Sequence, residues 1–208
     1  MTRKESVLIL FVTIILLFCG TRIIAETPAD LGPKPSDEMR STLDQLVQIS
    51  DSYAEDSQSE IRLKKMREII EPRFNFEEMA KRSLGAKWKS ISEGERAEFV
   101  TLFSELLART YLGRLKSIKQ DMVSFKDELI KYPRAIVKTE VDYDGDQFPI
   151  DYKLISGDGN WRVYDVIIEN IGLVSNYRNE FSGIIRKEKF SGLLAKLREK
   201  NDMPTEES

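Results

Sequence analysis

The sequence predicts an α+β domain: a small, curved antiparallel sheet of about four strands joined as a meander and covered on one face by helices. Two switches of hydrophobic period carry that prediction. Apolar residues recur at helical spacing up to about Ile118, alternate in and out from Met122 to Ile168, and return to helical spacing after Gly172. Tight-turn signals at Asp144-Gly145 and Gly157-Asp158-Gly159 divide the alternating stretch, so its last three strands follow one another as neighbours.

The first helix is expected from Ser36 to about Tyr53, with Met39, Leu43, Leu46, Val47 and Ile49 on its apolar face and Ser36 as N-cap. A second runs from Ser59 to Ile70 and stops at Pro72, and a third from Asn75 to Leu84 ends at Gly85. Ser92 and Glu95 form a capping box. The helix they open carries Phe99, Leu102, Phe103, Leu106, Leu107, Tyr111 and Leu115 on one broad face and is expected to reach Ile118. A weak strand at Met122 to Phe125 precedes Pro133. In the next strand Val137, Thr139, Val141 and Tyr143 share one face, while Lys138, Glu140 and Asp142 share the other. Phe148, Ile150, Tyr152 and Leu154 point inward on the third strand, and the fourth spans Asn160 to Ile168. Leu173 to Ile185 and Phe190 to Leu197 form two final helices.

At the N-terminus, Arg3 and Lys4 precede an apolar run from Val7 to Phe18, the layout of an export signal cleaved after Ala25. The run is shorter than the roughly 20 residues a spanning helix needs. Cys19 leaves open a lipoprotein signal, although bulky Phe18 precedes it. The expected organisation is residues 1–25 as signal, 26–35 as a flexible segment, 36–200 as one domain and 201–208 as a frayed tail.

The chain has 32 basic and 35 acidic residues, and cleavage removes Arg3, Lys4, Arg22 and Glu5, leaving a net charge of about −5. That balance argues against a nucleic-acid groove or a polybasic lipid-surface patch. There is no histidine, and the single cysteine leaves with the signal. Ser/His/Asp and Cys/His catalysis and most zinc or copper sites are thereby excluded, and no phosphate-binding loop is present. Asp142 to Asp146 begins like a calcium loop, but Gln147 and Lys153 occupy its key positions, so it reads as a hairpin turn. Glu77 and Glu78 read as solvated surface, with no acid/base partner. Tyr111, Tyr143, Tyr152, Tyr164 and Tyr177 fall on elements expected to face the interior. Packed core and hollow cavity use the same residue types, so periodicity leaves both readings open.

Phe74 to Gly85 (FNFEEMAKRSLG), Trp88, the Phe99/Phe103/Thr110-Tyr111-Leu112 helix, Pro149-Ile150-Asp151-Tyr152, Trp161 to Val166, Glu169, Leu173, Asn176-Tyr177-Arg178 and Phe181 together resemble the MlaC/toluene-tolerance family. The similarity covers Asp37 to Lys200. It implies a monomeric periplasmic carrier without cofactor or covalent chemistry, holding glycerophospholipid tails as cargo between sheet and helices and meeting membranes only transiently. It also implies two partners: an inner-membrane ABC transporter assembly with an MCE-type component, and an outer-membrane lipoprotein complex. A hopanoid-associated branch fits the same resemblance, and the residues themselves leave open a non-lipid periplasmic adaptor domain with a solid core. For the cavity wall the expected residues are Phe103, Leu107, Tyr111 and Leu115 from the long helix, Val137, Val141, Tyr152, Tyr164, Val166 and Ile168 from the sheet, and Tyr177 from the following helix. Tyr164 and Ile168 are expected on one strand face and Trp161 and Val163 on the other. Arg178 is either a phosphate contact or a surface arginine bonded to Asp165 or Glu169. Burial of two acyl chains, at about 0.8 kcal/mol per methylene, amounts to roughly 20 kcal/mol against water.

Overall fold

A computed structural model describes residues 32–115, 118–143 and 145–203. The expected signal and most of the segment following it lie outside these residues, as do Asp144 and the tail from 204.

Helix α1 spans Pro35–Ser52, because proline at its first position already has a helical φ and needs no N–H partner. Ser36 is therefore inside the helix, where the sequence reading made it the cap; its N–H donates to Glu128 Oε1 at 2.7 Å and ties α1 to the sheet. The other end of α1 is closed by Arg62 of α2 (Ser59–Ile70), whose buried guanidinium donates to the carbonyls of Tyr53 (2.6 Å) and Ala54 (3.3 Å). A cation at a helix C-terminus meets both the orphan carbonyls and the negative end of the dipole. A short 3-10 turn at Glu71–Arg73 follows. Asn75 then caps α3 (Phe76–Leu84) by accepting from Glu78 N–H at 3.0 Å. Ser92 and Glu95 make the expected capping box of α4. This helix ends at Tyr111, short of Ile118, and tightens into a 3-10 turn over Leu112–Leu115 that contains Gly113.

The sheet has five strands in the order β1-β2-β3-β4-β5: β1 Val123–Lys131, β2 Arg134–Tyr143, β3 Asp146–Gly157, β4 Asn160–Ile168 and the two-residue β5 Ile171–Gly172. All pairings are antiparallel. β1 is longer than expected and β5 adds a short edge; the meander itself is as expected. Two register shifts matter: one in β1 between Phe125 and Asp127, and one between β3 and β4 where Lys153 pairs with Asp165 but Leu154 with Val163. The second makes Tyr164 an extra, bulged residue. In consequence Trp161 and Val163 share a face with Val166 and Ile168, contrary to strict alternation, and Tyr164 leaves that face.

The span α5 (Leu173–Asp202) is two helices that meet at a break at Lys189 (φ 62°, ψ −176°), as the sequence predicts, and Lys200 pairs with Glu180 at 3.6 Å across that break. Gly172 has no side chain to cap α5; buried Asp165 does so from β4, accepting from Val174 N–H at 3.0 Å while pairing with Lys153 at 3.3 Å. The expected frayed tail begins too early: Asn201 donates to Leu102 O at 3.0 Å, and Arg109 donates to Met203 O, so α5 is docked along α4 to its end.

Candidate functional site

Two apolar clusters form. The larger joins α3, α4 and α5: Phe99 stacks on Phe103 (centroids 5.7 Å), and Tyr177 and Phe181 meet Phe103 edge-on at 5.2 and 5.4 Å. The smaller lies on the sheet around Val137, Leu154, Trp161 and Val163, with Met39 and Phe74 over it.

The residues proposed from sequence divide between them. Phe103 (0 % exposed), Leu107, Tyr164 and Tyr177 belong to the helical cluster, and Tyr111 packs at its edge. A side chain with no accessible surface adjoins no space that a probe the size of water could enter, so Phe103 is core, not wall. Arg82 Cζ sits 4.3 Å from the centroid of the Tyr164 ring and is held by Glu78 at 2.5 Å. Glu78 is thus an ion-pair partner in place of the free surface carboxylate expected. Burial pushes the Tyr177 phenol well above its ordinary range, with Tyr111 adding to the rise and a hydrogen bond with Thr110 opposing it.

Val137, Tyr152 and Val166 belong to the sheet cluster, and Val137 is also fully enclosed. The register arranges the sheet's apolar face into cross-strand rows. The row Ala135, Leu154, Val163 is buried, and Val137 of the next is buried beside half-buried Tyr152 and Val166. Beyond Thr139 the cover thins. Val123, Val141 and Phe148 form one row and Phe125, Ile150 and Ile168 flank Thr139 in another, and all six side chains are half-buried. Leu115 and Ile118 are also half-buried. Thr139, the one buried polar residue of the face, is satisfied by donating to Ile150 O at 3.0 Å. Burial raises the Tyr152 phenol, and a hydrogen bond with Thr139 opposes it.

Of the expected wall, then, Tyr111, Leu115, Val141, Tyr152, Val166 and Ile168 keep accessible surface. Val123, Phe148 and Ile150 join them and were missing from the sequence-based set. The Asp144-Gly145 hairpin held the signal, because it fixes Phe148 opposite Val141 and Ile150 opposite Thr139. Tyr143 is 55 % exposed, against the expectation of an interior position, because it ends its strand at the hairpin. Arg178 is exposed and bonds neither Asp165 nor Glu169; its guanidinium lies against Gly85, where a Cβ would be 2.6 Å from Nη2. A separate recess of about 290 Å³ between α1 and α2 is lined by Gln48, Ser52, Lys65 and Glu68 among others, a polar wall unsuited to acyl chains. No helix among the described residues is long and apolar enough to cross a membrane.

A curated relative, the intermembrane phospholipid transport system binding protein MlaC of Haemophilus influenzae, is 22% identical over 208 residues, covering 97% of this chain and 95% of its own. A solved structure of a phospholipid-binding protein from Ralstonia solanacearum in complex with a phospholipid superposes with a TM-score of 0.71 at 22% identity, covering 81% of this chain and 97% of that one, and so shares the fold. The family described as MlaC protein matches residues 40–199, most of the chain, and the chain belongs to that family.

Proposed function

We propose that this protein is an exported, periplasmic carrier that holds the acyl tails of a glycerophospholipid and performs no covalent chemistry. The observation that carries the reading is the gradient of burial along one sheet face: apolar rows that are sealed at the Ala135 end and half-open at the Val141 end. Apolar surface left in water costs about 25 cal/mol per Å², so rows of valine, isoleucine and phenylalanine are stabilised by an apolar occupant. The names of its relatives support the same cargo. A monomeric chain without a nucleotide-binding loop cannot impose direction, so cargo is exchanged with an inner-membrane ABC/MCE assembly and an outer-membrane lipoprotein complex, whose relative affinities set the flow.

The test is native mass spectrometry of the mature protein, made in the periplasm and purified without detergent, followed by organic extraction. Adducts that extract as intact two-chain phospholipids are expected. Adducts of polycyclic mass would move the cargo to hopanoids, and a folded protein of bare mass would overturn the carrier reading.

A further inference from the structure

The charge balance of the sequence argues against a polybasic patch, yet folding assembles one from segments about ninety residues apart. The turn Gly85–Ser90 lies along α5: Arg178 rests on Gly85, and Lys87 Nζ is 5.8 Å from the centroid of the Phe190 ring. On α5, Arg178, Ser182 and Arg186 follow one i, i+4 row, and Lys189 stands at the break that ends this helix. Lys87 stands beside them, and Lys89 follows it in the same turn. Arg178, Arg186, Lys189 and Lys89 are exposed and Lys87 is half-buried. Among the described residues none of the five makes an ion pair. The nearby carboxylates are engaged elsewhere: Glu188 with Lys196 at 3.1 Å, and Glu95 with Ser92, Lys87 exerting only a weak pull on it.

Backbone strain points to the same place. Lys189 has φ 62° and ψ −176°, a region that only glycine occupies freely. The break turns Phe190 into the helical core (4 % exposed) and leaves Lys189 outward, and Gly192 admits the Glu188 side chain, which would lie 2.5 Å from a Cβ there. A glycine at 189 would relieve the strain; the chain carries a cation instead.

We propose that this basic flank docks the protein on an anionic bilayer surface. Two features favour a bilayer over an acidic protein face. The row is made of long, unpaired cations suited to a fluid array of phosphates. None of the exposed large apolar side chains (Ile61, Leu129, Ile130, Tyr132, Tyr143, Ile171, Met203) falls within 81–90 or 178–190, so the flank lacks the apolar anchor of a specific protein interface.

The test is flotation of the mature protein with vesicles of phosphatidylglycerol and phosphatidylethanolamine, compared with phosphatidylcholine alone. Binding to the anionic vesicles, released by salt, is expected. Lys87→Glu/Arg186→Glu/Lys189→Glu abolishes it, whereas Lys64→Glu/Lys131→Glu/Lys138→Glu, with the same change in net charge on other surfaces, retains most of it. Lys189→Gly keeps falsification independent of folding: it is expected to be at least as stable as the parent yet to bind about fivefold more weakly, the effect of one surface charge. Equal binding by the two triple variants, or no binding by the parent, overturns the proposal. A parent that ignores vesicles while the flank variant loses transfer between membranes would assign the row to an acidic protein face instead. Cargo content is a separate readout, so the carrier reading and the docking reading fail independently.

Discussion

The helical cluster and the apolar face of the sheet are made of the same residue types, and they differ in whether anything completes them. Around Phe103 every direction is taken: Phe99 is stacked at 5.7 Å, and Tyr177 and Phe181 meet it edge-on. On the sheet, Met39, Phe74 and Trp161 complete the rows at the Ala135 end, and Val141, Phe148, Ile150 and Ile168 remain half-covered at the other. Side-chain identity therefore does not distinguish a wall from a core. The neighbours supplied by other elements do, and here they run out halfway along a continuous face.

The largest effect expected from breaking that contrast is on the closed side. Phe103→Ala removes a fully enclosed ring from a close-packed cluster and should cost about 3–5 kcal/mol, read as a shifted urea midpoint. Lipid bound per folded molecule should not change. A small stability loss with a large loss of lipid would place Phe103 on the cavity wall and dissolve the distinction between the two regions.

The open side should respond in the opposite way. Ile168→Asp puts a charge among half-covered apolar rows where water still reaches, so a stability cost of about 1 kcal/mol is expected. Co-purified lipid should disappear, because an acyl chain would have to desolvate the carboxylate. Thermal unfolding and extraction of the same preparation check both halves. If lipid survives, the cargo lies elsewhere than on these rows.

Much of this arrangement was legible in the sequence, where local chemistry settles it. The Ser92/Glu95 box, the glycine end of α3 and the two hairpins each depend on residues within four positions of one another. What was not legible depends on distant groups. Tyr164 alternates correctly as a wall residue until the bulge removes it from that face, and no glycine announces the bulge. For the site, sequence found six residues that keep accessible surface but could not separate them from Phe103, Leu107, Val137, Tyr164 and Tyr177, since only tertiary neighbours reveal what is filled.

The smallest expected effect concerns the group that joins the closed end of the sheet to its cover. Glu38 of α1 is buried and pairs with Arg73 at 3.2 Å, linking α1 to the turn that leads into Phe74. Burial holds its carboxyl above the ordinary 4.5, and Arg73 and the Trp161 backbone only partly oppose that rise. A carboxyl raised in the folded state takes up its proton there before it does in the unfolded chain, so Glu38 adds stability as pH falls toward 4.5 and loses that contribution as pH rises through its folded value. Glu38→Gln, which cannot titrate, should lack this gain. Urea unfolding of both proteins from neutral pH down to about 5 should therefore show the parent gaining on the variant as the solution is acidified. If the parent instead loses ground, the attraction to Arg73 outweighs burial, and the cover over the sheet is fastened by an ion pair, not by the apolar contacts of Met39 and Phe74.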